Sequence, residues 1–222
     1  MRWAWRRSAW RANTPISADT VVIVFARAPL AGRVKTRLVP RLGAAAAARL
    51  HAQLIRNAVR TAVEARCGTV ELHATAPHRL FRTLGIKIRR QRGRDLGERM
   101  HHALRGALRR HRQAIIIGAD APALTPADLR RAQRLLRGTD VVLAPAEDGG
   151  YALIGARRAS PRIFGDVEWG SARVLAQTLR NLSRAGLSYR LLRTVWDVDR
   201  PEDLDRFRSR RLSSGARPRA RR

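Results

Sequence analysis

Four stretches of this chain combine acidic or basic side chains with glycine or proline beside apolar runs. "FARAPLAGRVKTRL" (25–38) follows the run Val21 to Val24 and holds Lys35, one of only two lysines in the chain. Pro29 and Gly32 shape a tight loop there, and Arg33, Lys35 and Arg37 alternate after it. Backbone N–H groups and cations of such a loop can converge on a polyphosphate, and a solvated basic turn is the plainer alternative. The segment lacks the Gly-Lys-Ser/Thr spacing of a P-loop. "IIIGADAPALTPADL" (115–129) sets Asp120 just beyond a buried run between Gly118 and Pro122, where a carboxylate suits a hard cation such as Mg²⁺ or Mn²⁺. "APAEDGGYALIG" (144–155) puts Asp148 before Gly149 and Gly150, which allow close backbone approach to a ligand, with Tyr151 following. "WDVDRPEDL" (196–204) offers Asp197 and Asp199 ahead of Pro201. One of these two is expected to complete a site with Asp120, and the other to cap the following helix.

Weaker candidates surround these. Asp95, three residues before Glu98, reads as a capping pair or a substrate contact. Trp169, before Ser171, reads as a pocket wall or as core ahead of a helix N-cap. The six histidines show no metal-ligand spacing, and no Gly-x-Ser-x-Gly elbow is present.

Side chains so far apart in sequence must be brought together by an alternating fold. Strands are expected at Val21–Ala26, Thr69–Ala74, Ile86–Ile88, Ala114–Gly118, Asp140–Ala144, Tyr151–Gly155 and Ser188–Val195. Helices are expected at 44–65, 96–110, 126–137 and 171–185. The first has Ala47, Leu50, Leu54, Ala58 and Ala62 on one face, and the third has Thr125 as N-cap and Pro126 in its first turn. Continuous apolar strands between helices imply an α/β fold, a mostly parallel sheet covered on both faces, with ligands at the carboxyl ends of its strands.

Composition narrows the function classes. At 222 residues the chain is expected to form one domain over 20–208, with a loose Arg/Trp-rich extension at 1–19 and a disordered basic tail at 209–222. No apolar run reaches the ~18 residues of a membrane span. A lone cysteine, Cys67, excludes an internal disulfide, so a soluble cytoplasmic protein is the simplest expectation. The formal charge of +29 favours polyanion binding, but the lysines number two among 46 basic residues and the arginines are spread along every segment. That spread resembles a substitution bias more than a binding stripe, and no specific nucleic-acid partner is expected.

Together, "FARAPLAGRVKTRL", "GADAPALTPADL", "PAEDGGYALIG" and "DVDRPEDL" resemble a bacterial family of GT-A-type transferases. It is described as radical-SAM/selenodomain-associated transferase 1, or arsenosugar-biosynthesis glycosyltransferase, formerly a domain of unknown function. The resemblance covers about residues 20–208 and implies a GT-A-like, Rossmann-type three-layer sandwich with a mixed central sheet. The motifs are also similar to those of nucleotidyltransferases of the same fold, such as phospholactate guanylyltransferases and CMP-sugar synthetases. That comparison implies a phosphate loop of Pro29, Gly32, Arg33, Lys35, Thr36 and Arg37, and metal aspartates at Asp120 and Asp199. Arg200 stands where a threonine usually follows the second aspartate, and Pro122 replaces the second acid of a glycosyltransferase Asp-x-Asp.

The resulting expectation is a Mg²⁺- or Mn²⁺-dependent transferase in which Asp120, Asp148 and Lys35 are catalytic. Asp95, Gly149, Gly150, Tyr151 and Trp169 would shape its pocket. Its substrates would be a nucleotide sugar, or alternatively a nucleoside triphosphate, and a small-molecule acceptor. A noncatalytic polyanion-binding protein is the remaining alternative.

Overall fold

Strand β1, Thr20–Ala26, is apolar at nearly every position because both of its faces are covered. Val22, Val24 and Ala26 enter one core cluster, whereas Val21, Ile23 and Phe25 enter a second on the other side. β4 (Gln113–Gly118) divides the same way, with Ile115 and Ile117 on the first side and Ala114 and Ile116 on the second. The period-two alternation of strand side chains thus feeds two cores from one sheet.

The computed structural model describes residues 19–215. The expected extension at 1–19, apart from Asp19, and the end of the expected tail, 216–222, lie outside them. The remaining strands are β2 (Thr69–Ala74), β3 (Lys87–Arg90), β5 (Val141–Pro145), β6 (Tyr151–Ala156) and β7 (Tyr189–Leu191). They form one seven-stranded sheet in the order β3-β2-β1-β4-β6-β5-β7. All pairings are parallel except those of β6, which runs antiparallel to both β4 and β5. The mostly parallel mixed sheet matches the expected class. The last expected strand is much shorter: after Leu191 only an isolated bridge, Ala146 to Val195, continues the pairing.

The helices are α1 (Val39–Leu42), α2 (Ala44–Ala65), α3 (Arg79–Arg82), α4 (Leu96–Leu108), α5 (Pro126–Leu135), α6 (Val174–Arg184) and α7 (Asp203–Gly215). α2 and α5 cover the first core and α4 and α6 the second. The buried stripe of α2 is Ala47, Ala48, His51, Leu54, Ile55, Val59, Ala62 and Ala65. It is rotated from the expected face, so Leu50 and Ala58 are only partly buried and a histidine stands in the stripe. Full burial of Leu54 and Ile55 stabilises this packing by about 1.5–3 kcal/mol each. α7 runs past the expected boundary at 208, since a helix propagates one hydrogen bond at a time beyond a buried anchor, here Phe207.

α5 starts as its sequence dictates. The Thr125 hydroxyl accepts from the Asp128 N–H, and Asp128 accepts in return from the Thr125 N–H. The strand order also creates the functional landmark. From β1 the chain places β2 on one side and β4 on the other, so their carboxyl ends flank the crevice where sheets of this kind take ligands.

Candidate functional site

Two loops open at that crevice. The one after β1 turns tightly: the Leu30 N–H donates to the Ala28 carbonyl and the Arg33 N–H to the Leu30 carbonyl, with Gly32 at φ +74°. Lys35 itself takes a left-handed backbone, φ 50° and ψ 42°, before a 3-10 turn at Thr36–Leu38. A lysine in this conformation is strained by roughly 1–2 kcal/mol, and the side chain it aims inward is almost wholly buried.

The destination of that side chain is a pair of carboxylates. Lys35 Nζ lies 3.1 Å from Asp120 Oδ2 and 3.8 Å from Asp199 Oδ1. Asp120 leaves the end of β4, and its own carbonyl accepts a 3.0 Å hydrogen bond from the Val198 N–H, which hangs the Asp199 segment alongside. Arg37 pairs with the other oxygen of Asp199. The two residues expected on one cation, Asp120 and Asp199, therefore converge, and Lys35, expected on the phosphates, occupies the place between them.

His51, passed over in the sequence, completes this cluster from α2. It is 3% exposed; its Nε2 lies 3.2 Å from the Arg27 carbonyl, which can only accept, so Nε2 carries a proton. Its Nδ1 lies 3.3 Å from Asp120 Oδ1, off the line of a hydrogen bond, and both atoms are buried without a hydrogen-bond partner. Burial pushes the Asp120 carboxyl upward, but Lys35 and His51 outweigh it and hold Asp120 well below the usual carboxylate range. The signal was present in the spacing: His51 is four residues from Ala47 and four from Ile55.

Asp197 and Asp199 do not divide the work as expected. Neither caps α7: the Asp203 carboxylate accepts from the N–H groups of both Asp199 (2.9 Å) and Arg200 (2.7 Å). A carboxylate three residues into the turn reaches back more easily than one lying before it. Asp197 instead lines the pocket with Asp120 and Asp148. Its burial, reinforced by Asp148 and then by Asp120 and Asp199 and opposed by Lys35, pushes its pKa up to about 6.

That shift has a readable consequence. A carboxyl whose folded pKa lies above its unfolded value, ordinarily about 3.9, binds more protons folded than unfolded between those limits, so stability falls as pH rises from about 4 to 6. The loss is at most about 3 kcal/mol for a two-unit shift. Asp197→Asn is expected to flatten this slope in the metal-free protein and raise its melting temperature at pH 7.5. Denaturation midpoints measured across pH 4–8 check it, and an unchanged slope would refute the placement.

Pocket geometry sorts the remaining candidates. A pocket of about 300 Å³ is bordered by Asp120, Asp148, Gly150, Tyr151, Trp169 and Asp197, as well as Phe25 and Met100. A larger cavity, about 550 Å³, lies between α2, α5 and Phe207 and borders Arg60 and Glu64, but the aspartate cluster opens into the smaller one. Trp169 serves as both wall and core: it packs on Phe164, and Gly97 leaves it room, since a Cβ there would stand 2.7 Å from the indole. Asp148 accepts at 2.9 Å from the Gly150 N–H, which fixes its carboxylate at the rim.

Three expectations are corrected. Gly149 does not border the pocket; at φ +87° a Cβ would overlap the Ala172 carbonyl and lie 2.6 Å from Ala172 Cα, so it serves loop packing against the segment before α6. Asp95 does not border the pocket; it caps α4 by accepting from the Glu98 N–H at 2.8 Å, while Glu98 turns back to Arg94. Ser171 is not the α6 N-cap, because its hydroxyl bonds the Arg173 N–H one turn earlier. Pro29 is buried in the loop, and Arg33 and Thr36 are exposed on it. Burial pushes the Cys67 thiol up to about 11, away from nucleophilic use.

Among the described residues no three or more histidine, cysteine, aspartate or glutamate side chains are gathered as a metal cage. Two carboxylates meeting around one ammonium nonetheless fit an ion that takes its other ligands from phosphates and water, as Mg²⁺ does.

Residues 46–171 match a protein family described as uncharacterized protein conserved in bacteria (DUF2064). No curated protein matches the sequence. Among solved structures, the chain is similar to a "putative nucleotide-diphospho-sugar transferase" from Desulfovibrio desulfuricans G20. Identity is 27%, the match covers 91% of this chain and 92% of that one, and the TM-score is 0.82. CMP:2-keto-3-deoxy-manno-octonic acid synthetase, solved with CTP, is similar at 14% identity over 88% of this chain and 99% of its own, TM-score 0.60. A nucleotidyl transferase from Methanothermobacter thermautotrophicus is similar at 16% identity over 88% and 98%, TM-score 0.59. The fold is therefore that of the nucleotidyl and nucleotide-sugar transferases, and no helix among the described residues is long and apolar enough to cross a membrane.

Proposed function

The chain belongs to that bacterial family, and from this premise we propose that it is a metal-dependent transferase acting on a nucleotide-activated donor. The proposal extends to the finer radical-SAM-associated glycosyltransferase group that its four motifs resemble, and assigns the transferase domain to residues 20–208. The observation that carries it is the meeting of Asp120 and Asp199, from loops 79 positions apart, around the Lys35 ammonium at the carboxyl ends of β1 and β4. A site with that charge arrangement suits a diphosphate and its counter-cation.

In this reading Asp120 and Asp199 would hold Mg²⁺ or Mn²⁺, which would supply positive charge to offset that developing on the leaving phosphates. Lys35 and Arg37 give their cations to the same phosphate oxygens, and the backbone of the 27–38 loop encloses them. Asp148, exposed at the rim, accepts the proton from the acceptor hydroxyl or amine as that atom bonds to the sugar's anomeric carbon. The anomeric carbon–oxygen bond breaks and its electron pair leaves with the nucleoside diphosphate.

A nucleotidyl reading uses the same groups: the acceptor attacks the α-phosphorus of a nucleoside triphosphate and pyrophosphate leaves. It is favoured by the two nucleotidyl-transferring neighbours in fold. Melting temperatures measured with nucleotide sugars and with nucleoside triphosphates, each with and without Mg²⁺ or Mn²⁺, separate the two. Metal-dependent stabilisation by nucleotide sugars supports glycosyl transfer, and by triphosphates alone nucleotidyl transfer. Equal, salt-sensitive shifts with every polyphosphate regardless of metal would leave only polyanion binding.

A further inference from the structure

The protein carries +29, yet among the described residues no lysine, arginine or histidine borders the 300 Å³ pocket. Its wall includes Phe25, Met100, Ile116, Leu153 and Trp169, and among the described residues the charged side chains on it are Asp120, Asp148 and Asp197. Lys35, which contacts the pocket-lining Asp120, is already held between Asp120 and Asp199. A phosphate or carboxylate entering here would meet two further carboxylates, Asp148 and Asp197, and the one cation described as acting on Asp197, Lys35, is committed to Asp120 and Asp199.

Range decides between the global and the local field. At physiological ionic strength charges are screened beyond about 8 Å, so the scattered surface arginines act on a ligand in solution and the rim carboxylates act on it once seated. A low-dielectric wall on the other side strengthens the local term.

Resting on the transferase reading above, we propose that the acceptor is an alcohol or amine with an apolar frame, neutral or cationic, bearing no phosphate or carboxylate in the pocket. Its apolar face lies on Trp169 and Met100, and its hydroxyl or ammonium group faces Asp148 and Asp197. The rim supplies both recognition of the polar group and the base that receives its proton. This sets the chain apart from synthetases whose acceptors are acids.

The test uses three ligands of one shape: benzylamine, benzyl alcohol and benzoate. Each is titrated at pH 7.5 and 0.15 M salt, without nucleotide or metal, and binding is read from the Trp169 indole N–H signal in NMR, identified with Trp169→Leu. Benzylamine is expected to bind about tenfold more tightly than benzoate, the factor that 1.4 kcal/mol of charge discrimination gives. The alcohol should fall between them. Asp148→Asn combined with Asp197→Asn, both near-isosteric and compatible with folding, should bring the ratio to about one or reverse it. The bulk charge favours benzoate, so nonspecific attraction cannot mimic the expected order. Benzoate binding as well as benzylamine, a preference that survives the double replacement, or no benzylamine binding at millimolar concentration would each overturn the proposal. Because nucleotide and metal are left out, this failure is distinct from failure of the transferase reading, which the metal-dependent shifts decide.

Discussion

Asp120→Ala is expected to abolish metal-dependent stabilisation by nucleotides and to lower transfer by about 10²–10³-fold, the loss typical when one charge-stabilising group is removed from a preorganised site. The expectation follows from geometry. Among the described residues Asp120 is the carboxylate that contacts both Lys35 and His51, and its backbone carbonyl holds the segment that delivers Asp199. Alanine keeps the backbone bond to Val198 and removes only the carboxylate. The variant should therefore fold, with Lys35 left to Asp199 alone. Asp95→Ala is the matching control: it loses a helix cap, about 1 kcal/mol, without touching the pocket, so its nucleotide response should persist on a less stable protein. Melting curves with and without Mg²⁺ and nucleotide read both outcomes. Unaltered metal-dependent shifts in the Asp120 variant would end the catalytic reading.

Lys35→Met should destabilise the metal-free protein and make it more responsive to Mg²⁺ than the wild type. Its ammonium is 4% exposed and holds two carboxylates apart from one another's charge. Breaking a fully buried pair costs roughly 3–5 kcal/mol, but Asp120 and Asp199 are 43% and 37% exposed, so about 2 kcal/mol is the discounted figure. For a chain of this size that lowers the melting temperature by about 4–8 °C. A divalent ion can then also replace the missing ammonium between the two carboxylates, so its stabilising effect exceeds that in the wild type, where Lys35 already offsets their charge. Lys35→Arg should not restore the native state, because a planar fork of five donors does not fit where one compact ammonium sits. Equal melting temperatures and equal metal responses in all three proteins would show that Lys35 does not hold the two carboxylates together.

Much of this was legible in the chain because local rules and burial agreed. α2 and β2 have the bounds that their apolar periods give, and Thr125, Pro126 and Asp128 start α5 as their types require. Asp120 could be singled out because a buried strand leads directly to it. The direction of β6 was not legible, since an apolar run reads the same whether its neighbours run parallel or antiparallel to it. His51 was missed for a different reason: its buried position depends on a rotation of the α2 stripe of less than one residue, which a five-residue apolar count does not fix. Asp203 took the capping role from Asp197 and Asp199 because reach depends on where the helix turns, and Pro201 sets that turn two residues before α7 begins. Gly149 looked like a ligand contact until its neighbour across the loop, Ala172, was in place.

The bonds from Lys35 and Arg37 to Asp199 close a loop of more than 160 residues. On a ribosome, the β1 loop emerges first and waits while nearly the whole domain is made, at about 5–20 residues per second. During that interval Lys35 has no Asp199 to meet, and on the transferase reading the early chain lacks part of the set of groups proposed to hold a nucleotide. Binding competence therefore arrives late and all at once, when the segment leading into α7 docks.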